Sequence, residues 1–114
     1  MKTLNQIHLT PSQLKALDEL KRRLSNSFGI VEITLFGSVP RGEADNESDL
    51  DVLLVTRSPL HRSTRHQITD IVCEINLQFD TNLSTLVVDE ASWQSGLFSI
   101  LPIHAEILND GVRL

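Results

Sequence analysis

The sequence predicts an α+β fold in which a mixed β-sheet is backed by helices, in the order α-β-turn-β-α-β-α. Apolar residues recur at helical spacing in two long segments, and three runs rich in apolar and β-branched residues have the length of strands. Capping and turn residues separate these segments. The whole chain, residues 1–114, has the length of a single domain.

The first helix is predicted to begin at Thr10-Pro11-Ser12-Gln13, which has the pattern of a capping box with proline in the first turn. Its apolar stripe would comprise Leu14, Leu17, Leu20, Leu24 and Phe28, and Gly29 would end it. The basic residues off this stripe favour a solvated face over a surface that binds a partner or steers phosphate; they are Lys15, Lys21, Arg22 and Arg23.

Strands are predicted at residues 30–36, 50–56 and 83–88, with a polar loop between the first two. A second helix would start either at Ser58-Pro59 or at a possible capping box, Thr64-Arg65-His66-Gln67. Its buried stripe would comprise Ile68, Ile71, Val72, Ile75 and Phe79. Cys73, beside that stripe, is interpreted as a small packing residue, because no activating base can be identified for it.

The last third of the chain is predicted to form a short helical turn and a final helix. Asp89 would cap the turn, Trp93 would anchor the C-terminal segment, and Gly96 would end the turn. The final helix is expected at residues 102–108, with Asn109-Asp110-Gly111 as its stop.

Composition excludes several classes of protein. Hydrophobic residues make up 40% of the chain and charged residues 22%, as in ordinary globular domains. The net charge of −5 argues against general nucleic-acid binding. A single cysteine favours the reducing cytoplasm, and neither a signal peptide nor a membrane-spanning run is evident. The four histidines, His8, His61, His66 and His104, show no metal-ligand spacing.

Two carboxylates mark the start of the second predicted strand. In an extended strand Asp49 and Asp51 share one face, while Leu50 and Val52 point to the other. Two acids held this close repel each other and lose hydration unless a cation lies between them. Mg²⁺ takes oxygen ligands of this kind and often shares them with substrate phosphates.

Gly37-Ser38, after the first strand, suits a phosphate cradle. Glycine lets the backbone approach a ligand, and Ser38 can cap a short helix through Val39, Pro40 and Arg41. The free N–H groups of such a turn favour phosphate. The alternative is a tight turn followed by a solvated acidic loop, but turn chemistry alone explains neither the aspartate pair nor the serine and arginine before it.

Gly37-Ser38, Arg41-Gly42 and Ser48-Asp49-Leu50-Asp51-Val52 follow the order and spacing of a G-S-x-x-R-G…S-D-x-D-[VL] signature. The chain therefore resembles the DNA-polymerase-β-like nucleotidyltransferases, most of all the minimal nucleotidyltransferases (MNT) that act as antitoxins to HEPN proteins. One departure is Pro40, where the family more often has alanine. The resemblance implies the nucleotidyltransferase fold and a transferase that moves AMP from ATP to a protein hydroxyl, such as a tyrosine of a HEPN partner.

The resemblance also implies roles for single residues. Asp49 and Asp51 would be catalytic and bind Mg²⁺, or Mn²⁺ in its place, while Gly37, Ser38 and Arg41 would bind the phosphates of the nucleotide. Active relatives generally add a third carboxylate from a later strand, where this chain has Ser84 or Thr85. Asp80 lies about 13 Å before Ser84 along a strand, and Asp89 lies at its far end. A catalytically weak module that neutralises a partner by binding is therefore the alternative.

Overall fold

A four-stranded mixed sheet forms the centre of the part of the chain that the computed structural model describes, residues 7–40 and 49–114. Its strands are β1 (Ile30–Phe36), β2 (Leu50–Thr56), β3 (Leu83–Asp89) and β4 (Val112–Arg113). Their order in the sheet is β3-β2-β1-β4. β1 is antiparallel to both of its neighbours, whereas β2 and β3 are parallel. The predicted mixed sheet is confirmed, and β1 and β2 have the predicted bounds.

Helices cover both faces of this sheet. They are α1 (Pro11–Leu24), α2 (Arg62–Phe79), α3 (Glu90–Gln94), a 3-10 helix (Leu97–Ile100) and α4 (Pro102–Asp110). Apolar residues of α1 and α2 pack in one core cluster with Leu50, Val52 and Leu54 of β2. Trp93 and Ile107, from the segment after β3, pack in a second cluster with Leu53 and Val55. None of the helices in the described ranges has the length and hydropathy needed to cross a bilayer.

α1 begins as predicted but ends earlier. The Thr10 hydroxyl accepts a hydrogen bond from the Gln13 N–H at 3.1 Å, and the Gln13 side chain accepts one from the Thr10 N–H at 2.9 Å. The expected end at Gly29 is wrong, because the helix stops at Leu24. Ser25-Asn26-Ser27 are weak helix formers, and both Phe28 and Gly29 have positive φ.

α2 begins at Arg62, so both predicted starts are wrong. Leu60 packs against the core just before the N-cap residue, His61, and thereby fixes where the chain enters the helix. The buried side of α2 is formed by Ile68, Val72 and Ile75. Cys73 is exposed, so its interpretation as a packing residue is also wrong.

The segment after β3 folds back over the sheet. The Asp89 carboxylate accepts a hydrogen bond from the Ser92 N–H at 3.1 Å, which confirms the predicted cap of α3. Trp93 is buried and its ring lies 4.4 Å from that of His104. The last helix runs two residues further than expected, to Asp110. The 3-10 helix and β4 were not predicted, because segments this short carry no clear periodicity.

Candidate active site at the start of β2

The two carboxylates predicted as metal ligands stand at the entry of the central strand β2. Asp49 directly precedes the strand and is exposed, while Asp51 is its second residue and is half-buried. Leu50 and Val52, between and after them, are fully buried in the cluster on the opposite face. The strand therefore presents both acids on the face that also carries Leu53 and Val55.

The electrostatics of the pair favour a bound cation. Burial, and secondly the negative charge of Asp49, raise the pKa of the Asp51 carboxyl above its usual range. The ion pairs between described residues all use other acids, namely Glu19, Glu74 and Glu32. Two close oxygen donors that lack such a partner within the described ranges have the chemistry that a hard divalent ion requires.

The Gly37 backbone packs directly against one of these carboxylates. Phe36 lies opposite Asp51 in the antiparallel pair, and Gly37 follows it with a φ of +89°. A Cβ atom placed on Gly37 would lie 2.5 Å from Asp51 Oδ2, so any other residue here would have to displace the Asp51 carboxylate. Glycine is thus required at this position both for its backbone conformation and for the space it leaves.

After Gly37 the chain leaves β1. Residues 38–40 form a turn in which Ser38 is half-buried, and Val39 packs in the α1–α2 core cluster. The turn is thereby anchored beside Asp51. The predicted helix through Arg41 cannot be followed, since Arg41 and Gly42 lie outside the described residues. Phosphate binding by Gly37, Ser38 and Arg41 stays a prediction.

On the other side of Asp51 the neighbouring strand supplies a hydroxyl. Ser84 of β3 is the register partner of Asp51, and Thr85 is that of Val52. Ser84, and not Thr85, therefore lies on the same face of the sheet as the two carboxylates, where active relatives would have the third acid. No group of three or more acids, histidines or cysteines able to hold a metal ion occurs among the described residues.

The two more distant aspartates have other positions. Asp80 is the C-cap of α2 and has a left-handed conformation, with a φ of 54°. Asp89, at the far end of β3, caps α3. Neither is the register neighbour of Asp51.

A side chain that sequence reasoning missed fixes the start of β3. The Asn76 side chain, in the last turn of α2, donates to the Leu83 carbonyl at 3.1 Å and accepts from the Leu83 N–H at 2.7 Å. Its oxygen also accepts from the Thr81 hydroxyl at 3.1 Å. Asn76 thus positions the strand that carries Ser84. Nothing local in the sequence distinguishes it, because its partners are set by the tertiary fold.

The nucleotidyltransferase-domain family model matches residues 15–94, which include β1, β2, β3 and the segment between the first two strands. The chain belongs to the nucleotidyltransferase domain family. The match covers most of the chain and contains all the residues predicted to form the site.

Curated relatives of this nucleotidyltransferase domain come from Methanocaldococcus jannaschii. One, provisionally named protein adenylyltransferase MJ1305, is 35% identical over 96 residues, which cover 81% of this chain. The chain spans only 64% of the length of that relative. A second, provisionally named protein adenylyltransferase MJ0141, is 28% identical over 76 residues that cover 65% of this chain and 77% of the relative.

Solved structures share the fold at lower identity. A toxin-antitoxin crystal structure with AMP-PNP is 18% identical, with a TM-score of 0.57 and coverage of 91% of this chain and 72% of the other. A provisionally assigned nucleotidyltransferase from Sulfolobus solfataricus is 23% identical, with a TM-score of 0.56; the match covers 88% of this chain and 77% of the other. A chain from a complex of tri-AMPylated Shewanella oneidensis HEPN toxin with MNT antitoxin is 18% identical, with a TM-score of 0.50; the match covers 90% of this chain and 70% of the other. The predicted nucleotidyltransferase fold is confirmed.

Replacing Gly37 by alanine should damage both the backbone and the carboxylate site. We expect a loss of about 1–2 kcal/mol from the left-handed backbone alone, and a displaced Asp51 carboxylate because of the 2.5 Å contact. Thermal unfolding with and without Mg²⁺-ATP measures both effects. Gly29→Ala is the matched control, because Gly29 also has positive φ but its nearest neighbour would be Arg57 Cβ at 3.9 Å. Equal Mg²⁺-ATP shifts in the two variants would contradict the assigned role of Gly37.

The raised pKa of Asp51 predicts a pH-dependent stability. A carboxyl whose pKa is raised by folding favours the folded state below its ordinary titration range, about pH 4, and this contribution is lost as the pH rises through the folded pKa. Without metal, Asp51→Asn should therefore melt at a higher temperature than wild type at pH 7, and this gain should shrink towards pH 4. Asp70→Asn, at an exposed position on α2, is the control for the loss of one negative charge. A lower melting temperature of metal-free Asp51→Asn at pH 7 would refute the argument.

Proposed function

We propose that this nucleotidyltransferase domain transfers AMP from ATP onto a protein hydroxyl. The observation that carries the proposal is the pair of carboxylates, Asp49 and Asp51, on one face of β2 beside the close-packed Gly37. The provisional naming of the two curated relatives as protein adenylyltransferases supports the choice of nucleotide and acceptor. We place the activity in a single domain, residues 1–114, acting in the cytoplasm.

The reaction joins the acceptor oxygen to the α-phosphorus. As that bond forms, the bond from the α-phosphorus to the oxygen bridging to the β-phosphate breaks, pyrophosphate leaves and the hydroxyl proton passes to solvent. Asp49 and Asp51 would hold Mg²⁺, or Mn²⁺, through their oxygens. When bound, the ion supplies positive charge to the triphosphate and the leaving pyrophosphate.

The turn after β1 would receive the phosphates. Gly37 leaves the backbone accessible beside Asp51, and Ser38 follows it in a turn anchored by Val39. Their N–H and hydroxyl groups are suitable donors for phosphate oxygens. Arg41 would add a positive charge; this role rests on the sequence resemblance.

The proposed acceptor is a HEPN-type toxin, which the domain would silence as its antitoxin. The support is the fold shared with a chain of the MNT complex that contains a tri-AMPylated HEPN toxin.

A second function is favoured by one observation, the hydroxyl of Ser84 at the register position beside Asp51. A neutral hydroxyl binds Mg²⁺ far less strongly than a carboxylate does. In this alternative the domain binds a nucleotide through one ion, turns over slowly or not at all, and neutralises its partner by binding.

Asp49→Asn distinguishes the two functions. If the domain is a transferase, incubation of wild type with Mg²⁺-ATP and the HEPN partner adds a nucleotide-sized mass to that partner, and Asp49→Asn loses the addition by a factor of about 10² or more. Mass spectrometry of the partner gives the readout, and Asp70→Asn serves as control. Neutralisation of the partner by Asp49→Asn, without any modification, would instead favour the binding module.

Ser84→Asp should complete the carboxylate cluster. We expect it to raise the transfer rate at least about tenfold, equivalent to 1.4 kcal/mol in the barrier, because a third acid strengthens metal binding. Ser84→Asn is the matched control, because asparagine has a similar size to aspartate but carries no charge. An increase that also appears in Ser84→Asn, or no increase in Ser84→Asp, would contradict the place given to Ser84 in the site.

A further inference from the structure

We propose that the segment after β3 is the docking surface for the protein substrate, and that it fits a substrate surface with basic residues around apolar ones. The inference rests on the proposed transfer to a protein hydroxyl and adds what that protein must present. We call the surface the C-terminal face and define it by its four exposed apolar residues, Leu97, Ile100, Leu101 and Leu108.

The C-terminal face is apolar and open to solvent. Its exposed fractions are 68% for Leu97, 78% for Ile100, 36% for Leu101 and 52% for Leu108. Leu97 and Ile100 are three residues apart in a 3-10 helix, so their side chains eclipse. Leu101 is the N-cap residue of α4, and Leu108 lies within that helix. Four strongly exposed apolar residues within positions 97–108 are more than the scattered single exposures usual on a protein surface, and favour an interaction surface.

The charge of the same segment is of one sign. Residues 89–110 contain Asp89, Glu90, Glu106 and Asp110 but no lysine or arginine. Asp89 is used as the cap of α3, whereas the other three acids take part in none of the ion pairs between described residues. A partner that binds this segment therefore meets acidic side chains but no lysine or arginine from it, and basic side chains on the partner complement that charge.

The position of the C-terminal face links it to the carboxylates. Trp93 and Ile107 from this segment cover Leu53, which follows Asp51 by two residues on the same side of the sheet. A protein bound to the segment would therefore lie on the same side of the sheet as Asp49 and Asp51. Leu77 is even more exposed, at 87%, but it lies on α2, the helix that packs on the opposite face of the sheet.

Two peptides test the inference. One is a fluorescent tyrosine peptide with leucines and arginines around the tyrosine, and the other has a glutamate for every arginine. Fluorescence anisotropy with the 114-residue chain should give the arginine peptide at least about tenfold higher affinity. Equal affinities, or no saturable binding of the arginine peptide, would overturn the proposal.

Charge reversal should invert this preference. The double variant Glu90→Lys/Glu106→Lys should bind the glutamate peptide more tightly than the arginine peptide. Asp18→Lys/Asp70→Lys, exposed positions on α1 and α2, changes the net charge equally and should keep the wild-type preference. An identical inversion in both variants would reveal only an effect of net charge, and would overturn the assignment to this face.

Replacing exposed apolar residues by serine completes the test. Leu108→Ser should weaken binding of the arginine peptide and raise KM for its modification with kcat unchanged, whereas Leu77→Ser should do neither. Sedimentation of the peptide-free chain provides a further check, because a dimer that Leu108→Ser dissociates would show that a second copy covers the face, and would refute the proposal.

Failure of the docking surface and failure of the proposed function can be told apart. Mg²⁺-ATP-dependent thermal stabilisation, abolished by Asp49→Asn, reports on the nucleotide site alone. If it persists in Glu90→Lys/Glu106→Lys while the peptide preference is unaffected, the docking inference fails and the nucleotide site stands. If it is missing in wild type, the proposed function fails.

Discussion

Two like charges lie at the entry of β2, and the pairing and burial of that strand hold the backbone of Asp51, the second of them, in place. Leu50, Val52 and Leu54 are fully buried on the opposite side of the strand, and burial of each such side chain contributes about 1.5–3 kcal/mol. β1 and β3 pair with β2 on its two edges, so the backbone cannot rotate to relieve the repulsion. The partial burial of Asp51, and secondly the charge of Asp49, disfavour the ionised Asp51 carboxylate and raise its pKa in the folded protein, and a bound cation would offset both effects.

Much of the fold could be predicted because its signals are local. The apolar runs of β1 and β2 and the reciprocal Thr10–Gln13 cap depend on residues close in sequence. The end of α1 was missed because Phe28 continues the apolar spacing although the backbone has already left the helix. β4 could not be predicted, since a two-residue strand is defined by its pairing with Thr34 and Leu35 alone.

The same division applies to the candidate site. The alternation of Asp49 and Asp51 and the glycine–serine step are visible in sequence, because strand geometry and signature spacing are local properties. The close contact between Gly37 and Asp51 could not be predicted, because it depends on the antiparallel register of β1 and β2. The choice between Ser84 and Thr85 required the parallel register, which α2 and the Asn76 side chain determine.

The two pairings of β2 also differ in how much chain must close to form them. The antiparallel pairing brings Asp51 to Phe36 across a comparatively short stretch, whereas the parallel pairing brings it to Ser84 only after the whole of α2 has crossed over the sheet. Longer closures cost more entropy and form more slowly. The glycine–aspartate half of the site therefore closes at a smaller cost in chain entropy than the half that contains Ser84.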